Sequence, residues 1–109
     1  MNRGDIYTFD RERPSRGDDD ERTPYRVIVT PGYLLPKGEN WVTVAPIERF
    51  DPDRLVAVAL ADGDPVQGWI RPDRVTTVYR PWLSGPVGRL TDDTIAVFDE
   101  RLKAAQGLD

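Results

Sequence analysis

The chain of 109 residues contains neither cysteine nor histidine. Without cysteine there is no disulfide framework, no thiolate zinc site and no thiol nucleophile. Without histidine there is no imidazole base, no imidazole metal ligand and no built-in switch near neutral pH. Ser-His-Asp and Cys-His catalysis are excluded. Any chemistry falls to Asp, Glu, Arg, Lys, Tyr, Ser or Thr. Long apolar runs are missing too. The longest, residues 55–61, is seven residues, against the ~20 that a bilayer-spanning helix needs. The opening Met-Asn-Arg-Gly-Asp has no apolar signal region, so a cytoplasmic protein without membrane attachment is expected. Lysine is scarce: only Lys37 and Lys103 accompany thirteen arginines, and the net charge is −4. That global charge argues against a nucleic-acid binder. The planar fork of Arg nevertheless suits phosphate, so a local basic site fits inside an acidic chain. A GC-rich genome would produce the same arginine bias.

Hydrophobic residues make up 39% and charged residues 31%, a globular rather than a disordered composition. A chain of this length buries roughly two-thirds of its unfolded surface, and one domain over residues 1–109 is expected. Residues 5–9 alternate, with Ile6 on one face and Tyr7 and Phe9 on the other, as in a short strand. Residues 10–22 hold six acids, four Arg and no apolar side chain, and predict a solvated loop. Residues 25–30 are rich in β-branched side chains and predict a strand, ended by Pro31-Gly32. Residues 31–40 predict a second loop and 41–45 a strand closed by Pro46. The apolar run 55–60 predicts a central strand. Asp62-Gly63-Asp64-Pro65 predicts a turn, and residues 67–70 and 75–78 two more strands. A terminal helix follows, with Thr91 as N-cap and Asp92 and Asp93 in the first turn. Its apolar stripe is Ile95, Phe98, Leu102 and Ala105, and Gly107 is its stop. Five or six short strands and one amphipathic helix predict a mainly β protein: a small SH3-like β-barrel with a C-terminal helix.

Arg71-Pro72-Asp73 is the first candidate for chemistry. Pro72 cannot donate to a sheet ladder, which places it at a strand end or an edge. Arg71, Asp73 and Trp69 share one side of an extended chain. A cation, a carboxylate and a flat ring suit a phosphate ester with a stacked base; a surface ion pair beside a turn explains the spacing equally. The loop ending at Arg22, with Arg26 in the strand after it, is a second candidate, a lip that grips substrate; a solvated connection explains it better by itself. Glu48-Arg49, at a strand exit, is a third, and as an isolated feature a surface pair of little energetic value explains it better. Trp41, Trp69 and Trp82 could stack bases, although Trp in a small barrel commonly fills core or an interface. Asp18-Asp19-Asp20 is a solvated charge run rather than a metal site, since consecutive side chains do not converge on one ion. The repeated Pro-Asp-Arg at 52–54 and 72–74 is ordinary turn chemistry.

The order of these segments resembles the MazF/PemK (Kid) toxins, within the superfamily that also holds CcdB. Arg3-Gly4-Asp5-Ile6-Tyr7 is similar to their opening Arg-Gly-Asp/Glu-Ile-Trp/Tyr. Residues 25–31 are similar to their second strand, and 42–47 to the strand ending Val-Pro-Val/Ile. Residues 68–77 are similar to Gly-Val-Val-Arg-Cys-Asp-Gln-Pro-Arg-Thr, and 87–91 to Ile-Gly-Arg-Leu-Ser before the terminal helix. The resemblance spans almost the whole chain in order. It implies the SH3-like barrel, a homodimer, a cognate antitoxin peptide over the active groove, and metal-independent, sequence-selective cleavage of single-stranded RNA by the ribose 2′-hydroxyl. No cofactor is implied. Arg71 and Asp73 fall on the family's catalytic Arg and Asp, so Asp73 is expected to help remove the 2′-hydroxyl proton and Arg71 to stabilise charge on the phosphate. The chain departs from the pattern elsewhere. Pro24 stands where the second-strand Arg usually lies, flanked by Arg22 and Arg26. Glu48-Arg49 replaces Thr-Ser, which makes Glu48 a candidate for proton chemistry. Asp18 and Asp19 fall near the His-Glu of the first loop. RNA affinity would require Arg22, Arg26, Arg49, Arg71 and Arg74 to converge, with Trp69 stacking. The rival readings are a CcdB-like gyrase poison and a non-catalytic SH3-like interaction domain.

Overall fold

A computed structural model describes residues 1–11, 21–30 and 40–106. Most of the two expected loops, the acidic run 18–20 and Gly107 lie outside the described residues. The strands are β1 (Asp5–Phe9), β2 (Arg22–Ile28), β3 (Trp41–Glu48), β4 (Val58–Ala59), β5 (Trp69–Ile70), β6 (Thr76–Tyr79) and β7 (Leu83–Arg89); helix α1 spans Asp92–Ala105. They form one sheet in the order β4-β5-β3-β2-β1-β7, with β6 beside β3, and every pairing is antiparallel. This is the expected mainly β architecture with a C-terminal helix, barrel-like but not closed.

Alternation along β1, β2 and β3 sends apolar side chains to both faces. Ile6, Val27, Ala45, Ile47 and Ile70 meet Phe98 and Leu102 of α1 in one core. Tyr7, Ile28, Val42, Val44 and Val78 form a second core on the other face. β3 serves two partners on one side: Trp41 to Val44 pair with β6, while Ile47 and Glu48 pair with β5. Pro46 sits between these two pairings. Its carbonyl accepts the Arg71 amide at 3.0 Å, and its missing N–H falls in the gap, where it interrupts no ladder.

Two expectations need correction. The run 55–60 is not a central strand: only Val58 and Ala59 pair, at the outer end of the strand order, and Leu55 is 95% exposed. Its carbonyls are taken elsewhere, since Arg101 of α1 donates to Leu55 O at 2.6 Å and to Ala57 O at 3.2 Å. β7 is a seven-residue strand where none was expected. Its Ser-Gly-Pro stretch shows no strand pattern, yet at the sheet edge Pro86 is tolerated. Opposite Tyr7, β7 carries an irregularity between Ser84 and Gly88, and Gly85 takes the positive φ of 138° there.

The helix starts as its sequence dictates. The Thr91 hydroxyl accepts the Thr94 amide at 3.3 Å, and Phe98 and Leu102 are buried. A further anchor comes from the 62–65 turn. The Asp64 carboxylate accepts from Thr91 N (2.9 Å), Thr94 Oγ1 (2.8 Å) and Ala61 N (2.8 Å). Burial pushes this carboxylate up, but the hydrogen bonds outweigh burial and hold it below its ordinary value. A carboxylate lowered by folding contributes stability that is full above its unfolded pKa and disappears as pH falls through the folded value. Asp64→Asn is therefore expected to melt lower than the parent at about pH 7 and to lose less on acidification below about pH 4. Melting curves stepped down in pH check this; parallel pH profiles for the two proteins would refute it.

Candidate functional site

Arg71 leaves β5 directly after the buried Ile70 and opens a short 3-10 turn, Pro72–Arg74. Pro72 at the first turn position needs no hydrogen-bond acceptor. The turn closes through Arg74 N to Arg71 O at 3.0 Å. This folds the Asp73 carboxylate back onto the Arg71 guanidinium. Nε reaches Oδ1 at 2.9 Å and Nη2 reaches Oδ2 at 2.7 Å, a two-pronged contact. The remaining nitrogen, Nη1, donates to Glu48 Oε1 at 2.9 Å. The other oxygen of Glu48 accepts from Arg74 Nη1 at 2.9 Å, and Arg74 also lies 3.6 Å from Glu21. Five side chains thus alternate in sign: Asp73, Arg71, Glu48, Arg74, Glu21. Arg71 and Glu48 are each only 4% exposed, and two buried charges persist because each has its partner.

The network fixes the protonation states at its outer end. The hydrogen bond to Asp73 raises Arg71 further above its already high value, so Arg71 is no proton donor. The same contact holds the Asp73 carboxyl below the usual range, and burial opposes this without reversing it. Asp73 stays ionised through neutral pH and is a correspondingly weak base.

β2 brings two more arginines to the cleft beside the network. Arg22 is opposite Glu48 and Arg26 opposite Pro46, so β2 spends extra residues between them. Pro24 occupies that bulge. Thr23, buried there, donates its hydroxyl to the Ile47 carbonyl and accepts the Tyr25 amide at 3.2 Å. Arg26 turns its Nη1 onto Thr23 O (2.8 Å) and Tyr25 O (2.9 Å), and its guanidinium lies 5.1 Å from the centre of the Phe9 ring. Thr23 was not singled out in the sequence; a buried Thr beside Pro within a strand is the signal for it.

Two clefts flank the network. Arg22, Arg26, Arg74, Glu21 and Glu48 line one of about 250 Å³, together with Thr23 and Pro46. Arg49 and Trp69 line the other, of about 540 Å³. Trp69 is directly opposite Glu48 in the ladder, so the two share a face. Arg71 and Asp73 do meet, but Arg71 is enclosed by carboxylates. Arg49 and Trp69 stand apart from Arg22, Arg26 and Arg74. Among the described residues no group of three or more carboxylates could hold a metal ion, and no helix is long and apolar enough to cross a membrane.

Solved structures share this fold. An endoribonuclease from a mycobacterial species, in complex with its cognate antitoxin, matches at a TM-score of 0.80 and 21% identity, over 100% of this chain and 97% of its own. A chain of the Deinococcus radiodurans MazE–MazF complex (Form-III) matches at 0.76 and 14%, over 100% and 98%. The Mycobacterium tuberculosis toxin MazF-mt6 matches at 0.72 and 20%, over 96% and 98%. No curated protein matches in sequence at a significant level. A small antiparallel barrel-like sheet with a terminal helix is thus the build of the MazF class. The family model for the PemK-like, MazF-like toxins of type II toxin–antitoxin systems covers residues 2–105, and the chain belongs to that family. Membership favours the toxin reading over a gyrase poison or a silent interaction domain.

Proposed function

We propose that this toxin is a metal-independent endoribonuclease that cuts single-stranded RNA, acts in the cytoplasm as a homodimer, and is silenced by an antitoxin peptide covering its cleft. The observation that carries the reading is the cleft in which Arg22, Arg26 and Arg74 gather beside Glu21 and Glu48, three cations against two carboxylates. Such a cleft gives a phosphodiester a cationic seat in a chain of net charge −4. In the reaction the ribose 2′-oxygen attacks the adjacent phosphorus, and the bond from phosphorus to the 5′-oxygen breaks. A 2′,3′-cyclic phosphate and a 5′-hydroxyl result, the latter taking its proton from water. Arg26 and Arg74 hold the phosphate oxygens. Arg71 adds positive charge from behind Glu48, and Glu48 aligns the two guanidiniums. Asp73, whose side chain is 31% exposed, accepts the 2′-hydroxyl proton. Because Asp73 is a weak base, most of the acceleration comes from charge stabilisation. Arg49 and Trp69 contact the RNA beyond the cut.

Purified protein incubated with mixed RNA in excess chelator is expected to cut it. Arg26→Ala should reduce the rate about 100-fold or more while leaving the fold intact by circular dichroism, and Asp73→Ala should slow it as well. Intact RNA with the parent protein, or full-rate cutting by both variants, sinks the proposal.

A further inference from the structure

The chain of alternating charges is not equally tight along its length. At one end Asp73 grips Arg71 through two contacts, of 2.9 and 2.7 Å. In the middle the buried Glu48 reaches Arg71 and Arg74 at 2.9 Å each. At the other end Glu21 Oε1 stands 3.6 Å from Arg74 Nη1, beyond hydrogen-bond distance. The Glu21 side chain is 59% exposed, and that of Arg74 is open to water as well. An ion pair this exposed contributes little to folding, whereas taking one member from a buried pair is strongly destabilising. Of the three carboxylates, Glu21 is therefore the one that can leave.

Its backbone, by contrast, has a fixed place. The Glu21 carbonyl accepts the Arg49 amide at 2.8 Å, and the next residue, Arg22, is opposite Glu48 in the ladder of β2 and β3. Glu21 is thus fastened beside the end of β3, where the smaller cleft collects it with Glu48, Arg22, Arg26 and Arg74. Three cations against two carboxylates leave that cleft one net positive charge; removing the charge of Glu21 alone would double it. Both carboxylates address the same nitrogen of Arg74, Nη1. This nitrogen carries two N–H groups. With only Glu48 at hydrogen-bond distance, it has capacity for a second, closer acceptor.

We infer that Glu21 is an internal competitor for the phosphate seat: it pairs with Arg74 until RNA enters the cleft, and a phosphate oxygen of the strand then displaces it. The inference rests on the ribonuclease reading. No covalent bond changes in this exchange; one anion beside Arg74 Nη1 gives way to another. Glu48 stays, because both its oxygens are engaged within the fold, and it continues to align Arg71 and Arg74. The phosphate oxygen can close to hydrogen-bond distance, where a charge-assisted contact is strongest, and its charge is shared with Arg22 and Arg26. The released carboxylate turns into water, which it already meets over most of its surface. Glu21 is hence neither the proton acceptor nor a contact to the bound strand. It lowers the affinity of the seat and keeps Arg74 paired on its outer side before a strand arrives.

The test is Glu21→Gln in the intact protein, which keeps the shape and removes the charge. Binding of a labelled single-stranded 2′-O-methyl oligoribonucleotide, which has no 2′-hydroxyl to react, is followed by anisotropy in chelator. At low salt Glu21→Gln is expected to bind about three- to fivefold more tightly than the parent, the effect of removing one exposed ion pair. The gain should shrink as added salt screens the charges. It should vanish when Arg74→Ala is introduced into both proteins, because the two residues act on one another. Cleavage of mixed RNA should show the gain in KM rather than in kcat, with the melting temperature unmoved. Binding by Glu21→Gln no tighter than the parent's overturns the competitor, as does a gain that survives Arg74→Ala. A large fall in kcat would make Glu21 the proton acceptor and overturns it too. Tighter binding by Glu21→Gln, with no cleavage by the parent, retains the competitor and discards the nuclease.

Discussion

Glu48→Ala is expected to destabilise the protein by about 3–5 kcal/mol, the loss seen when one member of a buried ionic network is removed. Glu48 is 4% exposed and ties two guanidiniums with one carboxylate. Without it, Arg71 keeps Asp73 but has an unsatisfied Nη1 side within the fold, and Arg74 keeps only the 3.6 Å contact with Glu21. Glu48→Gln preserves an acceptor and should lose markedly less. The double substitution Glu48→Met with Arg71→Met should recover part of the deficit, because it removes the orphaned charge as well as its partner. Urea titrations of the four proteins read this directly. If the single alanine variant shifts the midpoint no more than a surface substitution does, the network contributes nothing to folding and the burial argument fails.

Phe98→Ala is expected to cost about 3–5 kcal/mol, a large share of the ~5–15 kcal/mol that holds a domain of this kind together. Phe98 is fully buried and shares a core with Ile6, Val27, Ile47 and Ile70. α1 also packs against the Pro72–Arg74 turn. The variant should therefore lose RNA cleavage at temperatures where the parent still cuts, although Phe98 belongs to the apolar core and not to the charge network. Activity and circular dichroism recorded over the same temperature ramp should fall together. Activity that outlasts the helix signal would show that the turn stands without α1.

Where side-chain period and burial agree, the sequence is readable. Ile6 against Tyr7 announces a two-faced strand, and Phe98 with Leu102 announces the buried stripe of a capped helix. The reading failed where pairing partners, not local pattern, decide the state. Residues 55–60 are apolar enough for a strand, but Arg101 takes two of their carbonyls. Residues 83–89 show no strand pattern, with Gly85 and Pro86 in their middle, but an edge position accommodates both. The site divides in the same way. Arg71 and Asp73 are two residues apart, so their contact follows from geometry along the chain. The link from Arg71 to Glu48 spans 23 positions and depends on β5 lying beside β3. Glu48 and Arg49, considered together in sequence, line different clefts, because β3 ends at Glu48 and Arg49 lies in the bend beyond it.

The Asp64 carboxylate has a mechanical consequence. Because it collects donors from both Ala61 and the first turn of α1, the 62–65 turn and the start of the helix share one fastening. Fraying at one should loosen the other, and the amide protons of Ala61 and Thr91 should exchange with deuterium at matched rates. A segment that would otherwise drift is thus moored to the terminal helix, far along the chain from the residues it steadies.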